Sequence, residues 1–314
     1  MSQRKVKWFL SFLTVGVLLV GGVSAPAAAD SFSVGTINGQ GGWTCVTPPT
    51  SLAQGIEADA AHTGTQAWQM SNSPDGSVGG LNDRPYSPAL SVAAGRPASG
   101  KAADTMTASI WFKPVSNAAD GSAVEVDLAG NGARDMMGFL IYDASGLSFK
   151  LNDADTAYET GTNPPPWEGT RYINVFSNID PSAWHKLTLT IVLNDPGDNQ
   201  WCDVLSASLD DVASTVPGAQ GLVNHYGDYA RYGTPTLNDL YFRAPSWGTG
   251  SAIMGAPSTA QGFYFDDVSL STYNSSDPGT ILASYSTSFE APEPATMALL
   301  TLGGLAMLRR RRAA

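Results

Sequence analysis

Charge is the first scarcity: only 14% of the 314 residues are Asp, Glu, Lys or Arg, against roughly 25% in an average soluble domain. It is also unevenly spread. Arg4, Lys5, Lys7 and the run Arg309 to Arg312 hold seven of the 17 basic residues. The body from Asp30 to Ala291 keeps 10 basic against 27 acidic residues, a net charge of −17. Of those acids 22 are Asp and only 5 are Glu. Glu favours helices and Asp favours turns and caps, so a mainly helical protein is excluded. The acidic field excludes nucleic acid as a partner. Histidine is scarce too: His62, His185 and His225 stand too far apart for a metal-binding spacing. Neither a His-Glu-x-x-His helix nor a Gly-x-Ser-x-Gly elbow occurs. Apolar residues are plentiful, however, and 43% hydrophobic content with 10% aromatic residues excludes intrinsic disorder.

The two ends read as addresses. Residues 1–29 run from a basic start through an apolar stretch, Trp8 to Val23, to the small-residue string ending at Ala29. That is the layout of a secretory signal peptide. Residues 291–314 hold Pro292-Glu293-Pro294, the apolar stretch Ala295 to Leu308 and the cluster Arg309, Arg310, Arg311, Arg312. A helix over Ala295 to Leu308 spans about 21 Å, short of the ~30 Å hydrocarbon core. It still suits a marginal transmembrane helix with the arginines held inside. The three parts together resemble the PEP-CTERM sorting signal. The resemblance implies export, exosortase as a partner, transient membrane anchoring, cleavage near the tripeptide, and a final place in the cell envelope or outside the cell.

Between the ends, 30–290 reads as one domain of about 260 residues. Period-two alternation marks its strands. Leu187, Leu189, Ile191 and Leu193 share one face and Lys186, Thr188 and Thr190 the other. Turn chemistry at 194–200 then leads into a second alternating run, Cys202 to Leu209, which predicts a β-hairpin. Further strands are predicted at Thr107 to Lys113, Ala123 to Leu128, Gly138 to Tyr142, Leu147 to Leu151, Tyr172 to Phe176, Leu237 to Phe242 and Gly262 to Leu270. No window carries a helical stripe. The expected fold is all-β, two antiparallel sheets packed face to face.

The order of these signals, clearest over residues 60–271, resembles the concanavalin A-like jelly roll and its laminin G-like and carbohydrate-binding relatives. Thr107 to Pro114, Trp184 to Leu189 and Tyr264 to Leu270 carry the likeness. The resemblance implies a two-sheet jelly-roll sandwich. It does not assign an activity, because that fold serves lectins, adhesion domains and glycosidases alike.

Several residues are candidates for chemistry. Glu125 and Asp127 resemble part of the carboxylate strand motif of laminarinase-type glycosidases. Their spacing puts both on one face, but Ala129 and Gly130 stand where a third acid belongs. The alternative is a polar strand face. Asp266 falls by alternation on the face of Val268 and Leu270, where an ionised carboxylate needs a partner. Related modules hold a structural calcium with an aspartate of the closing strand. The resemblance therefore implies calcium at Asp266, or at Asp267 if the register is one off, with hydrogen bonding as the alternative. Trp167, Tyr226, Tyr229, Tyr232 and Trp247 sit in turn-rich segments and suit either a sugar ring or the cover of a sheet edge. Trp111 and Trp184 are expected in the core. Cys45 and Cys202 are the two cysteines, and in an oxidising compartment they form one disulfide or remain two buried thiols.

The reading is an exported, exosortase-sorted envelope or extracellular-matrix protein whose β-sandwich binds a polysaccharide or matrix component. The alternatives are a glycoside hydrolase or lyase on the same fold, and a structural or adhesive module that binds proteins.

Overall fold

The computed structural model describes residues 32–45, 54–57, 60–70, 85–116, 122–130, 133–134, 138–153, 171–193, 203–215, 222–224, 236–243 and 262–290. The strands before residue 100 are short: β1 (Gly35–Thr36), β2 (Thr44–Cys45), β3 (Gln54–Glu57), β4 (Ala67–Met70), β5 (Pro85–Tyr86) and β6 (Ala94–Gly95). Longer strands follow: β7 (Thr105–Pro114), β8 (Ser122–Gly130), β9 (Ala133–Arg134), β10 (Gly138–Asp143), β11 (Gly146–Asp153), β12 (Arg171–Ile179) and β13 (His185–Val192). The rest are β14 (Asp203–Leu209), β15 (Val212–Ala213), β16 (Leu222–Asn224), β17 (Thr236–Leu237), β18 (Asp239–Arg243), β19 (Phe263–Asn274) and β20 (Asp277–Thr287). Among the described residues the one helical element is a 3-10 turn, Pro97–Ser99.

Two large sheets face each other. The first runs β1-β3-β4-β19-β7-β13-β14-β15, with β20 beside β19 and β16 beside β14. The second runs β12-β11-β10-β8-β18-β5-β2, with β9 beside β8. Every pair of named strands is antiparallel, as in β13 against β14 and β7. The fold is therefore an all-β, two-sheet jelly-roll sandwich.

The alternation of β7 and β13 builds one side of the core. Met106, Ala108, Ile110 and Phe112 point inward beside Leu187, Leu189 and Ile191. Each fully buried aliphatic side chain contributes roughly 1.5–3 kcal/mol. The second sheet answers with Val124, Val126, Leu128, Leu140, Phe149, Leu240 and Phe242. Trp43 and Trp68 fill the space between them, 5.4 Å apart at their ring centroids, with Phe242 and Phe289 against both. Turn chemistry sets the register at the edges. Asp210 and Asp211, at φ +50 and +65, form the paired left-handed positions that a tight β14–β15 hairpin requires.

Two expectations are corrected here. Trp111 lies on the face of β7 opposite the core and Trp184 just ahead of β13, both half-buried, while the core tryptophans are Trp43 and Trp68. Asp266 does not share a face with Val268. A β-bulge shifts the β19–β7 register between Asp266 and Ser269. Phe265 and Val268 both enter the core, and the two residues between them leave it.

Cys45 is buried in β2, and Cys202 lies outside the described residues, so the choice between one bridge and two thiols falls outside the described contacts. Residues 1–29 and 291–314 also lie outside them. Among the described residues no helix is long and apolar enough to cross a membrane.

Candidate functional site

The side of the second sheet that faces away from the core carries buried charged groups. β8 is buried on both faces along its whole length. Val124, Val126 and Leu128 enter the core, so Glu125 and Asp127 point away from it, and both have no exposure. β18 lies alongside, pairing Arg243 with Glu125, Tyr241 with Asp127 and Asp239 with Ala129. Arg243 brings its Nε within 2.6 Å of Glu125 Oε2, an ion pair rather than a linear hydrogen bond. Asp127 Oδ1 accepts the N–H of Gly138 at 3.1 Å. At the end of β8, Gly130 admits no side chain at all, because a Cβ there would overlap the Thr236 carbonyl. A third acid at that point of the strand is sterically closed.

Asp239 completes this face. It is buried, its Oδ1 has no hydrogen-bond partner among the described residues, and burial pushes its carboxyl up to about 6. Its side chain follows Tyr241 on the same face by the period of the strand. Tyr241 packs against Tyr86 with ring centroids 4.9 Å apart. Solvent reaches this face at its flanks. Tyr86 on β5 and Lys150 on β11 are half-buried, and Asn174 on β12, which pairs with Lys150, is exposed. The assembly carries hydroxyl, amide, ammonium and aromatic groups around a neutralised ion pair. These groups offer hydrogen-bond donors and acceptors, and the carboxyl near neutrality can exchange a proton.

A second polar cluster sits at the bulge of β19. Asp266, with no exposure, accepts the N–H of His62 at 2.8 Å, of Thr63 at 3.1 Å and of Asp267 at 2.8 Å. Burial is the largest influence on its carboxyl and pushes it up to about 7, with the neighbouring Asp267 charge adding to the rise against the three N–H donors. Asp267, at φ +44, accepts from the Thr63 hydroxyl and pairs with His62 Nδ1 at 2.6 Å. The His62 ring lies flat on Trp111, 3.6 Å between centroids. The three N–H donors give its carboxyl hydrogen-bond partners but do not offset its burial. Among the described residues no group of three or more His, Cys, Asp or Glu side chains is arranged to hold a metal ion.

His185 is structural: Nδ1 meets Asp210 Oδ2 at 2.7 Å and Nε2 meets the Asp180 carbonyl at 2.8 Å. The aromatic candidates Trp167, Tyr226, Tyr229, Tyr232 and Trp247, like His225, lie outside the described residues. Sequence reasoning does not single out Arg243, Asp239, Tyr241 or Lys150. Each acquires its meaning from a partner far along the chain. The one available signal is a charged residue interrupting an apolar strand, as Arg243 does after Leu240-Tyr241-Phe242.

The fold and the C-terminal end together define an exported β-sandwich. Residues 290–312 match the PEP-CTERM protein-sorting motif, the mark of proteins exported and sorted to the cell envelope or extracellular space. No curated protein matches the chain. Among solved structures the chain is similar to a marine PL-14 alginate lyase from Aplysia kurodai, at 11% identity and TM-score 0.41, over 70% of this chain and 87% of that one. It is also similar to the alginate lyase Aly36B in complex with an alginate tetrasaccharide, at 10% identity and TM-score 0.43, over 78% and 96%. A third is a cellulose-induced protein, Cip1, at 9% identity and TM-score 0.33, over 78% and 92%.

Proposed function

We propose that this protein is a sorted, polysaccharide-binding component of the cell envelope or extracellular matrix, with its ligand on the outer face of the β12-to-β2 sheet. One observation carries the reading: a buried Glu125–Arg243 pair at the centre of a sheet face that also holds Asp127, Asp239 and Tyr241. Burying two charges costs several kcal/mol even when they meet, and packing alone calls for apolar residues there. The accessible groups at the flanks, Tyr86, Lys150 and Asn174, supply an aromatic face and donors suited to sugar hydroxyls. The body's net charge of −17 favours an uncharged polysaccharide over an anionic one. The test is depletion of the purified protein by a panel of insoluble neutral polysaccharides. Retention on at least one supports the reading, and retention on none overturns it.

A second reading is a hydrolase or lyase using the same face. It is favoured by Asp239, whose carboxyl at about 6 suits a general acid or base. It also shares a face with Asp127 and Tyr241. Incubation with the retained polysaccharide separates the two readings: soluble sugar ends released by the wild type and not by Asp239→Asn mean catalysis.

A further inference from the structure

Glu290 stands at the head of the sorting motif, 290–312, and is also part of the folded body. Its side chain takes three donors from one loop. The Thr65 N–H donates to Oε1 at 2.7 Å, the Gln66 N–H to the same oxygen at 3.1 Å, and the Thr65 hydroxyl to Oε2 at 3.0 Å. Its carbonyl accepts the N–H of Phe32 at 3.1 Å.

The preceding residue is held as firmly. Phe289 is fully buried at φ +58, with its N–H donated to the Thr287 hydroxyl at 3.1 Å. Its ring packs against Phe32, Trp43 and Trp68 at 5.2, 5.6 and 6.2 Å. Gly64, at φ +68, makes room for the carboxylate, since a Cβ there would overlap it. A strand end needs none of this. A charged clamp, an apolar plug, a strained backbone and a glycine-only approach converge on two residues.

The same corner gathers the other end of the body. Phe32 comes three residues after Ala29, where the secretory signal is expected to end. From Glu290 to the apolar stretch at Ala295 there are five peptide units, a reach of at most about 18 Å. Any machinery engaged with that stretch therefore meets the folded body at this corner.

We propose that Phe289 and Glu290 form a latch between the domain and its sorting signal. Closed, the latch holds the chain at Glu290, just ahead of Pro292-Glu293-Pro294. It also turns the corner of Phe32 and Gly64 to Gln66 towards the membrane-embedded sorting enzyme.

Proteolysis of the full chain under native conditions, in mild detergent and with a protease of broad specificity, tests this by the mass of the resistant product. The wild-type product ends at or after Glu290. In Glu290→Gln and Gly64→Ala, cuts appear upstream of Phe289 at least about tenfold faster, because charge-assisted bonds that hold the closed form are lost. Thr65→Ala, which removes one bond of three, gives a smaller increase of about threefold and decides the matter if Gly64→Ala does not fold. Equal cutting rates in wild type and Thr65→Ala and Glu290→Gln overturn the latch, as does a wild-type product that ends before Phe289. In a host that carries the sorting enzyme Glu290→Gln changes the ratio of unprocessed to processed chain, and an unchanged ratio overturns the link to sorting.

Discussion

The outer faces of the two sheets handle polar groups in opposite ways. On the β1-to-β15 sheet, outside the bulge at Asp266 and Asp267, they are mostly neutral and half-exposed. Thr107 and Thr190 share a hydroxyl hydrogen bond of 2.8 Å across β7 and β13, and Thr188 reaches Ser109 at 3.4 Å. One of its ion pairs, Lys186 with Asp211 at 2.9 Å, has the Asp211 side chain 77% exposed. On the β12-to-β2 sheet, the Glu125 side chain that meets Arg243 has no exposure at all. A hydroxyl ladder at a wet surface follows from strand propensity and cross-strand pairing. A buried ion pair within a sheet does not, and that contrast is why the second sheet is assigned the ligand.

Removing one charge from each sheet should break the symmetry most visibly. Arg243→Met leaves Glu125 buried without its cation and should destabilise the domain by about 3–5 kcal/mol. Lys186→Met should change stability by no more than about 1 kcal/mol. Urea denaturation of both variants measures the difference, and equal losses would erase the distinction between the faces.

A smaller effect lies in pH. Asp239 folds into a site that pushes its carboxyl up to about 6, above the ~3.9 of an unfolded Asp. The folded protein therefore holds a proton that the unfolded chain has released. This contribution is full below about pH 4 and is lost as pH rises through about 6, a change of roughly 2–3 kcal/mol. Asp239→Asn should flatten the stability profile between pH 4 and 6, and a profile identical to wild type would contradict the burial argument. The bulge on the opposite sheet sets the smallest expected effect. Three N–H donors reach Asp266; on the hydrogen-bonding alternative EDTA should leave the melting temperature within about 1 °C, whereas a bound calcium ion would make it fall on chelation. A larger drop would return calcium to Asp266 or Asp267.

The same contrast explains what is legible in the sequence. β7 and β13 alternate cleanly because one face is apolar and the other wet, so their existence and inward residues can be read directly. β8 carries no such code, since both of its faces are buried. Glu125 is visible as a candidate, but its cation, Arg243, is supplied by β18 after a long intervening stretch of chain. The bulge at Asp266 reverses a face assignment that rests on unbroken period two. β20 escapes a sequence reading: it opens on Asp277-Pro278-Gly279, residues of turn type, and among the described residues it pairs with β19 alone. The six strands before residue 100 span two to four residues each, too few for a period to show.

The central claim is that ligand binding belongs to the second sheet's outer face. Its most direct test is the dissociation constant for a retained neutral polysaccharide, compared between Tyr86→Ala with Lys150→Ala on that face and Thr188→Ala on the other. Placement of the ligand on the second sheet predicts at least about a tenfold loss in the first variant, roughly 1.4 kcal/mol, and wild-type affinity in the second. Unchanged binding by the first variant, or a loss confined to Thr188→Ala, would contradict it.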